Sequence, residues 1–126
     1  MKIVVDTSVI IDHTRANLGS FRQILKELQS GKCDLYLPSV VVTELWSGKE
    51  TENKKSAKKL EKLLESFRFV DLDKEGAKSA GIISRDYNVD GFDAIIATCT
   101  IKLNAYLATS NTKHFLKIKN LKLYSR

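Results

Sequence analysis

Five short apolar runs, separated by longer stretches in which apolar residues recur every three or four positions, constrain this chain more than any other feature. The runs are residues 2–5, 34–37, 69–72, 105–108 and 121–124. Their shortness and apolar character fit buried strands. Between them, Leu18, Phe21, Leu25 and Leu28 recur at helical spacing, and Ser30-Gly31 supplies a stop. Ala57, Leu60, Leu63, Leu64 and Phe67 mark a second helix, whose other face carries Lys54, Lys55, Lys58, Lys59 and Lys62. Ala77, Ala80 and Ile83 mark a third, with Asp73 placed to cap it. The stretch FDAIIATCTIKL gives a fourth, with Ile95, Ile96, Cys99 and Leu103 inward and Asn104 just past its end. Strands alternating with helices predict an open, mostly parallel α/β sheet with helices on both faces. One proline, Pro38, and no Gly/Ser-rich linker or repeat make residues 1–126 a single expected domain.

Composition narrows the partners. With 43% hydrophobic and 29% charged residues the chain reads as globular, not disordered. No apolar run is long enough to span a membrane, and the start shows no leader pattern, so the expected location is cytoplasmic. Lys and Arg total 21 against 15 Asp and Glu, a net charge of +6. That excess leans toward a polyanionic partner such as nucleic acid, although lysine also serves solubility alone. Cys33 and Cys99 lie outside any zinc-ligand spacing. Two buried reduced thiols are expected, a single disulfide being the other reading.

The first run, in KIVVDTSVIID, stops at Asp6. In α/β sheets the ligand sits beyond the carboxyl ends of the strands, where this carboxylate would lie. Asp6 therefore either caps the helix starting near Thr7 or holds something that needs negative charge. Three further polar positions fall at the same end. Glu44, in PSVVVTELWSG, lies one to two turns into a short helix begun by Pro38-Ser39. Asp93, in VDGFDAIIA, opens the fourth helix, and Asn111, in ATSNTKHF, follows the fourth strand. Each has a plain alternative: a solvated helix residue for Glu44, a dipole-favoured acid for Asp93, a turn residue for Asn111. Together they describe a carboxylate cluster. Such clusters repel unless a cation intervenes, and an oxygen-only donor set suits Mg²⁺ or Mn²⁺.

In order, VVDTSVIID, VVVTELWSG, DAIIATCTI and ATSNTKHF resemble the blocks of the PIN-domain family, in particular the compact VapC-type toxins of toxin–antitoxin pairs. The resemblance runs from Asp6 to Phe115 and the closing strand. It implies a three-layer α/β/α fold with a five-stranded parallel sheet, and Mg²⁺- or Mn²⁺-dependent RNA cleavage by metal-activated water. It places Asp6, Glu44 and Asp93 at the family's principal acidic positions, as catalytic residues and metal ligands. Ser8 and Thr109 match polar positions lining the same pocket. It also implies a cognate antitoxin and a homodimer. Where many PIN nucleases carry a fourth acid, this chain has Asn111, whose amide can orient water but adds no charge. Asp90 is expected to cap or precede the Asp93 helix.

Other residues carry weaker expectations. Arg85 is a candidate phosphate contact, and His114 a packing or RNA-contact residue. His13 falls in no ligand pattern, Trp46 is core or interface, and the lysine row is a solvated face. Two competing functions remain. A non-catalytic nucleic-acid-binding or scaffolding PIN domain would need none of the acids. A HAD-type phosphatase also begins strand–Asp, but its second Asp two positions on is replaced here by Ser8.

Overall fold

The computed structural model describes residues 1–16 and 20–125. Strands β1 (Lys2–Val5), β2 (Asp34–Pro38), β3 (Arg68–Val70), β4 (Tyr106–Ala108) and β5 (Lys122–Leu123) form one sheet, ordered β3-β2-β1-β4-β5. Every pairing is parallel. The helices are α1 (Thr7–Ala16), α2 (Phe21–Gln29), α3 (Ser39–Trp46), α4 (Lys54–Leu64), α5 (Lys74–Tyr87), α6 (Gly91–Lys102) and α7 (Thr112–Phe115), with a 3-10 turn at Lys49–Glu52. This is the predicted five-stranded parallel α/β architecture.

Parallel strands in such a sheet are covered on both faces and lack polar alternation. β1 obeys this: Ile3, Val4 and Val5 are fully buried, each contributing roughly 1.5–3 kcal/mol by leaving water. From β1 the chain steps outward to β2 and β3, then returns to the other side for β4 and β5. The order therefore reverses between β1 and β4, which is where an α/β sheet opens a crevice at its carboxyl edge. The register Val5↔Ala108 ends both strands together there, and the Asp6 amide extends the ladder by donating to Ala108 O at 2.9 Å.

Most helix signals read from the sequence have physical counterparts. Asp73 caps α5 by accepting from the Gly76 amide at 2.7 Å, and Asn104 sits just past α6 at φ 53, where an L residue other than Asn is disfavoured. α6 is buried more widely than its apolar stripe predicts. Thr98 and Thr100 are buried too, their hydroxyls donating to the carbonyls of Ala94 and Ile96, each at 2.8 Å. Several expectations shift, and the last two strands shorten to Tyr106–Ala108 and Lys122–Leu123. Phe67 lies beyond the end of α4 and packs from the following loop, stacking on Phe21 with centroids 5.9 Å apart. The third strand is Arg68–Val70, not 69–72, because its register with β2 ends at Pro38↔Val70. Leu18 lies outside the described residues.

Cys33 and Cys99 are both free and buried, as expected. Burial pushes the Cys99 thiol up to about 11, so it behaves as a small apolar side chain. Among the described residues no helix is long and apolar enough to cross a membrane.

Candidate active site

Asp6 leaves β1 at the crevice and is only 3% exposed. A buried carboxylate needs donors, and three supply them. Its Oδ1 accepts from the Thr7 amide at 2.9 Å; its Oδ2 accepts from Ser8 Oγ and Thr109 Oγ1, each at 2.8 Å. An ordinary N-cap takes the second or third helical amide, whereas the Asp6 side chain takes the first. The Asp6 backbone carbonyl, not its carboxylate, receives Val9 N at 3.1 Å. The side chain is thus gripped from the start of α1 and from the residue after β4 together, more than capping requires.

That grip is itself braced. Ser8 Oγ accepts from the Ser110 amide at 3.0 Å, Thr109 Oγ1 accepts from the Asn111 amide at 3.0 Å, and Ser110 Oγ donates to Asp12 Oδ2 at 2.6 Å. Ser8 and Thr109, expected to line the pocket, contact its anchoring acid directly. The Asn111 backbone amide braces Thr109, and its exposed side chain makes no cap bond to α7.

Glu44 stands in the second turn of α3, since Pro38 holds the extended conformation that precedes the helix. Its Oε1 accepts from Thr7 Oγ1 at 2.7 Å. Burial raises its pKa above the usual carboxylate value, and the negative charges of Asp6, Asp93 and Asp90 raise it further, while the Thr7 hydroxyl opposes them. Asp93 lies in the first turn of α6, where Asp90 caps by accepting from the Phe92 amide at 2.8 Å. Burial raises the Asp93 pKa too, followed by the charges of Asp6 and Asp90, with His114 pulling the other way. His114 Nδ1 is 3.7 Å from Asp93 Oδ2.

The three acids therefore share one region of negative potential. In donor type and charge they fit a hard divalent ion, though among the described residues no group of three or more His, Cys, Asp or Glu side chains forms a ready metal cage. Holding an ion there requires side-chain movement, and Glu44 and Asp93 are the acids with fewer donors.

Arg85 lies elsewhere. Its Nε donates to Asp86 Oδ1 at 2.8 Å, and it lines a cavity of about 560 Å³ with Val40, Asp71 and Gly91, a cavity that none of the three acids lines. Thr7, in contrast, belongs to the site and was missed. The adjacent hydroxyls of Thr7 and Ser8 were visible in the sequence, but the Glu44 partner is 37 residues away.

The chain matches the model of the PIN domain over residues 3–121. It superposes on the solved VapBC2 from Rickettsia felis, bound to a fragment of promoter DNA, with TM-score 0.83, 23% identity and 98% of each chain covered. DNA-bound VapBC from Salmonella typhimurium gives TM-score 0.82 at 18% identity, covering 98% of this chain and 97% of that one. VapBC-1 from nontypeable Haemophilus influenzae gives 0.79 at 22%, covering 99% and 98%. No curated protein sequence matches significantly. These likenesses carry the fold, and the family model, which covers Asp6, Glu44, Asp93 and the residues that grip Asp6, carries the membership: this chain belongs to the PIN domain family.

Proposed function

We propose that this chain is a Mg²⁺- or Mn²⁺-dependent endoribonuclease acting as the toxin of a VapBC-type pair. The observation that supports this reading is the convergence of carboxylates at the sheet's switch point: Thr7 bonds Asp6 through its amide and Glu44 through its hydroxyl, and Asp93 opens α6 close enough for the acids' charges to raise the pKa values of Glu44 and Asp93. Asp6, Glu44 and Asp93 would hold the ion. A divalent ion in such a site lowers the pKa of water and polarises a phosphoryl oxygen. The chain's own residues supply position. Ser8, Thr109 and the Thr7 amide fix the Asp6 carboxylate, and the Thr7 hydroxyl orients Glu44. Preorganisation of this kind lets charge be stabilised without rearrangement during reaction. The net charge of +6 favours approach of a polyanion.

Likeness to solved VapBC complexes supports a cognate antitoxin as partner; a homodimer in the cytoplasm completes this reading by family resemblance alone. Incubation of the purified chain with total RNA tests the reading. Cleavage is expected with Mg²⁺ or Mn²⁺, should fall sharply with Ca²⁺, whose coordination is longer and looser, and should vanish in EDTA. Undiminished cleavage in EDTA would remove the metal. Absence of cleavage with every ion, alongside retained RNA binding, would favour a non-catalytic scaffold.

A further inference from the structure

Beside the three acids is a cavity of about 200 Å³ whose walls include Asp90, Asp93, Lys113, His114 and Lys117. It joins the start of α6 to the turn built on α7. Asp93 belongs to the site already described; the two lysines do not. We propose that Lys113 and Lys117 form a phosphate subsite, taking the RNA backbone phosphate next to the one that meets Asp6, Glu44 and Asp93. This rests on the ribonuclease reading.

The physical problem is that a strand entering this site brings negative charge toward carboxylates. The attraction of any ion bound there acts on the reacting phosphate, while the neighbouring phosphate faces Asp90 and Asp93 along the cavity wall. Cations are needed to offset this, and Lys113 and Lys117 line the same cavity. Among the described residues neither ammonium has an ion-pair or hydrogen-bond partner, so both remain available to a ligand. By contrast, Lys78 and Lys102 pair with Glu75 and Asp73.

The turn that carries them is held in place. Phe115 and Ile118 are 1% and 3% exposed, anchoring it to the core on either side of Lys117. Backbone bonds close it: His114 N to Asn111 O at 3.0 Å, Leu116 N to Thr112 O at 2.9 Å and Ile118 N to Phe115 O at 3.1 Å. His114, between the lysines in sequence, reaches to within 3.7 Å of Asp93, which ties the basic turn to the acidic site. The lysine backbones are thus ordered before any ligand arrives, and less freedom is lost on binding. Lys58 and Lys62, on exposed α4 beside Glu61 and Glu65, have no such relation to the acids.

The test measures binding of a fluorescein-labelled single-stranded RNA of mixed sequence in EDTA, across a range of salt, for wild type, Lys113→Ala/Lys117→Ala and the control Lys58→Ala/Lys62→Ala. Each phosphate contact to a single strand contributes a slope of about 0.7 in log affinity against log salt. Loss of both contacts should make the slope shallower by about 1.4, and affinity at low salt should fall roughly tenfold. The α4 pair should change the slope by less than half as much. In Mn²⁺, Lys113→Ala/Lys117→Ala should raise KM with little change in kcat. Failure of the wild type to bind, or equal slope changes in both variants, overturns the subsite. An unchanged slope with intact cleavage also overturns it and leaves the ribonuclease standing. A lost slope in a chain that cleaves no RNA keeps the subsite and overturns the ribonuclease.

Discussion

The site has two sides built on different physics. On the strand side, Asp6 is buried and met by three donors from Thr7, Ser8 and Thr109, so its charge is stabilised where it stands. On the helix side, Glu44 and Asp93 are only partly buried, with fewer donors, and their pKa values are raised by burial and by their acidic neighbours. One side is an anchor; the other is held under repulsion. The same carboxylate is satisfied by hydrogen bonds at one position and left in a repulsive field at the other two.

Replacing Asp6 should break the comparison most visibly. Asp6→Asn removes the charge the three donors were set to receive, so cleavage should fall at least about a hundredfold. Stability in EDTA should also fall, by about 1–3 kcal/mol, because buried hydrogen bonds to a charged group are weakened. Relief of repulsion alone would predict no loss of stability, but the grip on Asp6 reverses that expectation. Denaturant unfolding in EDTA, with Asp6→Asn as stable as wild type, would show the anchor to be nominal.

Asp93→Asn should abolish cleavage to a similar degree while raising stability in EDTA at neutral pH. The sign follows from linkage. A carboxyl whose folded pKa lies above its unfolded value contributes stability that is present below the unfolded pKa and lost as pH rises through the folded one. The contribution of Glu44 and Asp93 to stability in EDTA should therefore decline from about pH 4 upward through their raised values. Asp93→Asn should flatten that decline. Parallel pH profiles for the two proteins would place Asp93 outside the shared field.

Thr109→Val tests the brace rather than the charge. It deletes the hydroxyl that reaches Asp6 from just beyond β4, at nearly constant volume, and a supporting contact of this kind is worth roughly ten- to a hundredfold in metal affinity or activity. Calorimetric Mn²⁺ titration measures it directly; unchanged affinity would mean Thr7 and Ser8 suffice. The smallest effect belongs to Asn111→Asp. A fourth carboxylate should tighten Mn²⁺ binding, but only as far as this exposed side chain can turn toward the acids. The same titration decides it, and an unchanged constant would assign Asn111 to the turn alone.

What could be read in advance follows the range of the forces involved. β1 and α6 announce themselves because their burial patterns are local: a β-branched run ending in Asp6, and a helix opened by Asp90 and Asp93. The carboxyl-end rule then brings Asp6, Glu44 and Asp93 to one edge. The pairing of Thr7 with Glu44 was not legible, because a hydroxyl beside a strand end has many potential partners and only the placed α3 selects one. Arg85 illustrates the converse. Nearness in sequence to Asp93 promised a phosphate contact, but Arg85 lines a cavity that none of the three acids lines, and Asp86 takes the guanidinium.

The β1–β4 junction also has a consequence for how the molecule comes into being. Asp6 is made before its donor Thr109, which lies 103 residues later. At about 5–20 residues per second, a ribosome needs roughly 5–20 seconds to travel between them. Throughout that interval β1 lacks its neighbour in the register Ile3↔Tyr106, and the Asp6 carboxylate lacks the Thr109 hydroxyl. Contacts so distant along the chain form late, since the loop between them must first close. A chain still being synthesised therefore carries Asp6 without the brace, and the assembled site belongs only to molecules made past Thr109.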